Sequence, residues 1–173
     1  MKFGWKRDKL NGIQNTNGIR LTRSEGPAMD PIDRKILGFL REDATRTYAD
    51  MAAHLHLSPP ALHDRVKKLK ARGVIRRTTV DLDPEALDRS FCAFVHVETE
   101  GYAKDVLKDV AEADPAVEEM HGVAGSSSAI LKVRTRDAAG LEELLRRLFE
   151  TGAVRRTESF VVLRTYLERG ISP

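Results

Sequence analysis

The stretch TYADMAAHLHLSPPALHDRVKKLKARG, residues 47–73, carries the pattern on which the fold of this chain turns. Thr47 followed three residues later by Asp50 resembles a capping box, with Asp in place of the usual Glu, and the apolar Met51, Ala52 and Leu55 come after it. This predicts a helix over 48–56. Ser58 suits an N-cap, and Pro59 stands at a first helical position where proline's missing N–H costs nothing, so a second helix is predicted over 59–72, ended by Gly73. Leu62, Val66 and Leu69 fall within about 60° of one another at 100° per residue and should face a core. The opposite face carries Pro60, His63, Asp64, Lys67 and Lys68, flanked by Ala61, Arg65 and Arg72. Two helices across so short a turn, the second strongly basic, form a helix-turn-helix pattern.

That face has the chemistry a major groove accepts. Arg65, Lys67, Lys68 and Arg72 are candidates for phosphate contacts, and Ala61, His63 and Asp64 for base edges, with Ser58 and Pro60 completing the set at the helix start. Upstream, Ile32, Ile36, Leu37 and Leu40 recur at helical spacing behind Pro31, which predicts a preceding helix. Downstream, Val74-Ile75-Arg76-Arg77-Thr78-Thr79-Val80 is β-prone and basic, suiting the strand of a wing beside the groove. The expected unit is a winged helix-turn-helix over 29–80.

Past a linker at 81–89 the pattern changes. Phe91, Ala93, Val95 and Val97 alternate with Cys92, Phe94, His96 and Glu98, a strand apolar on both faces near its start. Val106, Leu107, Val110 and Ala111 make an amphipathic helix ending before Pro115. Strands are predicted at 117–123 and 129–134, joined by the small-residue loop Ala124-Gly125-Ser126-Ser127-Ser128. A helix follows on Leu141, Leu144, Leu145, Leu148 and Phe149, ended by Gly152, and the last strand lies within 154–168. The order β-α-β-β-α-β is the ferredoxin-like arrangement over 90–170, so the fold class is α+β, with two helices on one face of a four-stranded antiparallel sheet. Apolar residues on the other face predict that a second subunit covers it, giving a homodimer.

Charge divides along the chain. Residues 1–28 carry six Lys and Arg against two Asp and Glu, and 29–80 carry eleven against six, whereas 81–173 carry twelve against eighteen. A basic front half should meet a polyanion and an acidic back half should not. Residues 1–28, with four Gly and three Asn and no periodicity, read as a flexible basic tail. It is an arm on DNA, the product of a start misassigned upstream of Met29, or a segment added in cloning, the second being the favoured expectation. The composition, 41% hydrophobic and 32% charged, is that of a globular chain. No apolar run spans a bilayer, and the one cysteine, Cys92, has no partner for a disulfide or a shared metal. The cytoplasm, in association with the nucleoid, is the expected location, with no membrane partner.

Asp33-Arg34-x-Ile36-Leu37, Leu57-Ser58-Pro59, Arg65-Val66-x-x-Leu69 and Gly73-Val74-Ile75, in this order ahead of a ferredoxin-like unit, resemble the leucine-responsive, or Lrp/AsnC, feast/famine regulators over 29–170. The resemblance implies a transcriptional regulator that binds double-stranded DNA, forms dimers assembling as far as octamers, and holds an amino-acid effector between sensor domains. It assigns effector binding to the loop Val123, Ala124, Gly125, Ser126, Ser127 and Ser128. Two positions depart from the pattern. His56 stands where such turns often have glycine, which calls for a left-handed backbone. The loop has serines where the family commonly has acidic residues for the ligand's ammonium group, although hydroxyls and backbone N–H groups there can still bind a carboxylate.

Other chemistries find little footing. His54 and His56 point to different helix faces, while His63, His96 and His121 belong to separate elements, so no metal site is expected. There is no Gly-x-Ser-x-Gly elbow and no phosphate-cradling glycine motif. No cofactor and no enzymatic activity are expected. One rival is an enzyme on the same scaffold, similar to tetrapyrrole decarboxylases, using His96 and His121. The other is an architectural DNA binder without an effector.

Overall fold

The structure is a computed structural model and describes residues 29–101 and 103–173. The segment 1–28, read above as a basic tail, lies outside the described residues. The chain divides into two compact units, one ending at Thr78 and including Gly170–Pro173, the other Thr79–Arg169.

The first unit holds α1 (Pro31–Glu42), α2 (Tyr48–His54) and α3 (Pro59–Ala71). Each begins on a side-chain cap. Asp30 accepts from the Ile32 N–H at 2.7 Å, Thr47 from Asp50 at 3.1 Å and Ser58 from Ala61 at 3.4 Å. Only half of the expected capping box forms, because the Asp50 carboxylate turns to Arg46, 3.4 Å away. Ile36, Met51, Ala52, Leu62, Val66 and Leu69 are buried together, which accounts for the helical spacing of these apolar positions.

α2 and α3 end in the same way. After α2, His56 N–H donates to Ala53 O at 3.3 Å and Leu57 N–H to Ala52 O at 2.9 Å, with His56 at φ 55°. After α3, Gly73 N–H donates to Lys70 O at 2.9 Å and Val74 N–H to Leu69 O at 3.0 Å, with Gly73 at φ 70°. Both are Schellman motifs with a left-handed residue in the turn. His56 therefore adopts the conformation that its glycine-like position demands.

The expected wing strand does not form. Residues 76–80 have no regular secondary structure and no ladder partner among the described residues. β-propensity alone cannot make a strand, since each needs a neighbour to satisfy its N–H and C=O groups.

In the second unit the segment 81–89, read as a linker, turns back on itself through a 2.7 Å bond from Arg89 N–H to Pro84 O. Then follow β1 (Phe91–Thr99), α4 (Lys104–Ala113), β2 (Val117–Gly122), β3 (Ala129–Thr135), α5 (Ala138–Glu150) and β4 (Val154–Val161), in sheet order β2-β3-β1-β4 with every pair antiparallel. Alternate residues Ala93, Val95 and Val97 of β1 and Ala129, Leu131 and Val133 of β3 are buried with Leu107 of α4 and Leu141, Leu144 and Leu148 of α5. Val106 and Phe149 follow the apolar spacing of their helices, yet they are exposed.

The sheet face turned away from the helices is divided. On β1 and β4, Phe94 is 40% exposed, Phe160 is 49% exposed, and the His96 ring packs at a tilt against Phe160 with centroids 4.9 Å apart. On β3 and β2, Arg134 pairs with Glu118 at 2.7 Å, and Lys132 pairs with Glu118 at 3.2 Å and with Glu168. Burial pulls the Lys132 ammonium down, but Glu168 and Glu118 outweigh it and hold its pKa above the ordinary value. Cys92 lies buried beside this cluster, and burial raises its thiol pKa.

Candidate functional site

The exposed face of α3 follows from the burial of its other side. With Leu62, Val66 and Leu69 sealed against α1 and α2, the residues Ser58, Pro60, Ala61, His63, Asp64, Lys67, Lys68 and Arg72 all stand in solvent. The Ser58 hydroxyl is used as the helix cap. The His63 ring lies 5.7 Å from that of Tyr48, so α2 steadies it at the rim of the face. Lys67, Lys68 and Arg72 have no acidic partner among the described residues and leave three cationic groups free for a polyanion.

Arg65 departs from its expected phosphate-binding role. Its side chain is 30% exposed and turns inward, with one terminal nitrogen 2.7 Å from Asp33 Oδ1 and 3.0 Å from Asp30 Oδ2. Asp33 is one of only two buried polar residues among those described. Arg65 thus ties α3 to the N-cap and first turn of α1. The carboxylate of Asp30 is held below its ordinary pKa first by the Ile32 N–H it caps and then by Arg65.

The loop 123–128 is closed by the Val123 N–H donating to Ser128 O at 3.1 Å. Its members separate into two groups. Ser128 is structural: its N–H donates to Val97 O at 2.8 Å, and its hydroxyl meets Thr99 Oγ1 at 3.0 Å and accepts from Thr99 N–H at 3.2 Å. Ser126 and Ser127 line a cavity of about 340 Å³ together with His96 and Glu98 of β1 and residues 155–158 of β4. Val123, Ala124 and Gly125 lie outside that lining. Ser127 Oγ is 3.3 Å from His96 Nδ1.

Sequence reading missed the strand walls of this cavity. The signal lay in the register, since His96 stands opposite Glu158 and Glu98 opposite Arg156, which puts all four on the sheet face away from the helices. A larger cavity of about 680 Å³ lies beside 80–89, remote from the loop. The charges at its far wall, Arg134, Glu118 and Glu168, already satisfy one another. Among the described residues no group of three or more His, Cys, Asp or Glu side chains is arranged to hold a metal, and no helix is long and apolar enough to cross a membrane.

Comparison with known proteins matches both units. Residues 29–70 fit the AsnC-type helix-turn-helix domain and residues 92–171 the Lrp/AsnC ligand binding domain. The transcriptional regulator LrpA of Mycobacterium tuberculosis is 34% identical over 140 residues, covering 80% of this chain and 93% of the relative. The solved structure of E. coli AsnC aligns with a TM-score of 0.75 at 30% identity, over 84% of this chain and 99% of that one. A regulator from Neisseria meningitidis, solved as a complex with L-Met, shares the fold with a TM-score of 0.77 at 24% identity, over 82% of this chain and 94% of that one. These relatives carry the names of regulators, not of tetrapyrrole decarboxylases. With an exposed basic helix in a helix-turn-helix and a sensor-type α+β unit behind it, this chain belongs to the Lrp/AsnC family of DNA-binding transcriptional regulators.

Proposed function

We propose that this regulator reads a specific double-stranded DNA sequence as a homodimer, and that an amino acid held at the 123–128 loop changes how it does so. The exposed face of α3 carries this reading: Lys67, Lys68 and Arg72 supply phosphate attraction, while Ala61, His63 and Asp64 meet base edges, with Ser58 and Pro60 at the entry of the helix into the major groove. A second copy covers the divided sheet face, since exposed aromatics such as Phe94 and Phe160 on the one uncovered side of a sheet call for a partner. Dimerisation brings two α3 helices to a two-fold operator, and further assembly, as far as octamers, spaces several such pairs along the nucleoid.

The effector reading draws support from the cavity beside Ser126 and Ser127 and from the L-Met complex of the Neisseria regulator. An effector acts by binding one assembly state more tightly than another. The test is a titration of DNA from the protein's own upstream region against salt, with and without amino acids. Specific, salt-sensitive binding that an amino acid alters is the expected result. Binding that never exceeds the non-specific background overturns the proposal, and specific binding indifferent to every amino acid leaves an architectural DNA binder.

A further inference from the structure

We infer that Asp64 specifies a cytosine in the major groove, accepting a hydrogen bond from its N4 amino group and refusing guanine and thymine. This rests on the DNA-reading face proposed above and names one base that the face selects. Two residues beyond Leu62, Asp64 stands about 200° round α3 from it, almost directly opposite the buried line of Leu62, Val66 and Leu69. Lys67 and Lys68 flank it at about 140° and 240° on the same scale. One carboxylate therefore lies at the centre of an otherwise cationic face.

No contact within the protein uses that carboxylate. Asp64 is exposed, and its side chain makes no hydrogen bond or ion pair among the described residues. The neighbouring cation, Arg65, is held by Asp30 and Asp33 instead. Asp64 also lies beyond the first turn of α3, where the helix dipole would favour a negative charge. On a helix that meets phosphates, such a charge repels the backbone of every DNA sequence alike. That repulsion is offset only where a hydrogen-bond donor faces the carboxylate.

The major groove offers two such donors, adenine N6 and cytosine N4. Adenine sets its N7 acceptor beside the amino group, whereas cytosine has only a C–H there, so a side chain that can only accept suits cytosine. Guanine N7 and O6 and thymine O4 are acceptors and repel it. The approach is open. Helical side chains lean toward the N-terminus, so Asp64 extends past Pro60 and Ala61, at the end of α3 that reads base edges. Pro60, Ala61 and Ala71 are small and exposed, which lets a base come within reach of a carboxylate on a single methylene.

The test selects binding sites for the full-length protein from random DNA duplexes, then measures affinity for the selected site and its single base-pair variants. The parent should prefer cytosine at one position of each half-site, binding it about tenfold or more tightly than thymine there. Asp64→Ala should abolish that preference alone and should bind non-operator DNA more tightly, since a repulsive charge is gone. Asp64→Asn should move the selected base to adenine, whose N6 and N7 an amide meets together. Both variants should match the parent in far-UV circular dichroism, because the side chain has no partner to lose. An Asp64→Ala variant that keeps every preference of the parent, or loses one for an A·T pair instead, overturns the inference and leaves a sequence-specific regulator standing. A parent that selects no sequence removes both this inference and the reading on which it rests.

Discussion

The two Schellman turns of the DNA-binding unit form an internal control for backbone strain. They share hydrogen-bond geometry, but one places His56 and the other Gly73 in the left-handed region, at φ 55° and φ 70°. A residue with a Cβ pays about 1–2 kcal/mol there relative to the ordinary helical region, while glycine's greater freedom in the unfolded chain opposes the exchange by about 0.4–1 kcal/mol. His56 is exposed, and its ring makes no hydrogen bond, ion pair or ring contact among the described residues. His56→Gly should therefore stabilise the unit by about 0.5–1 kcal/mol. Gly73→Ala should destabilise it by a similar amount, purely through conformation, because no atom stands within 4 Å of the added Cβ. For a unit of this size, with a urea slope of about 1 kcal/mol per M, each shift is about 0.5–1 M in midpoint. Urea titration of the full-length variants, followed by far-UV circular dichroism, reads both. A His56→Gly midpoint at or below the parent, beside a neutral Gly73→Ala, would refute the reasoning, since the turns would then carry no strain.

Four further outcomes follow from named contacts. Arg65→Gln should cost about 1–2 kcal/mol by leaving Asp33 without its charged partner, yet it should leave the salt dependence of DNA binding unchanged; a flatter slope would return Arg65 to the phosphates. Lys67→Ala with Lys68→Ala should weaken binding to all DNA sequences and flatten the slope by up to about two units, and an unchanged slope would remove both from the backbone contacts. Asp30 has a folded pKa below its ordinary 3.8, so its ionised form stabilises the fold: that contribution is whole above 3.8 and fades as pH falls through the folded value, and Asp30→Asn should blunt the acid limb of the unfolding curve, an unaltered limb arguing against it. Phe160→Glu should break the dimer in sedimentation, by placing a charge on the exposed aromatic half of the sheet face, and an intact dimer would move the interface elsewhere.

What the sequence disclosed and what it withheld follow from the range of each interaction. Thr47, Ser58, Pro59 and Gly73 act on backbone groups within three residues, so the bounds of α2 and α3 were legible. The strand alternation of Phe91 to Glu98 and the helical spacing of Leu141 to Leu148 are local as well, and they led to the ferredoxin-like order. The ion pairs of Arg65 were not legible because its partners are 32 and 35 residues away; a cation on a helix face looks the same whether it meets a phosphate or a carboxylate. The expected wing strand failed for a related reason, since no local pattern tells whether residues 76–80 have a ladder to join. The loop 123–128 was bounded from its small residues, but the neighbours of Ser126 and Ser127 on β1 and β4 emerge only from strand register.

The division of the outer sheet face has a consequence for which chains can meet on it. Two copies related by a two-fold axis bring aromatic half onto aromatic half only in one alignment. Any other alignment presses Phe94 and Phe160 against the ion network of Lys132, Arg134, Glu118 and Glu168 and strips those charges of water. A foreign chain of the same architecture, with its charges distributed otherwise, meets the same desolvation cost. Where several regulators of this architecture share one cell, that cost would disfavour mixed pairs in the homodimer proposed above.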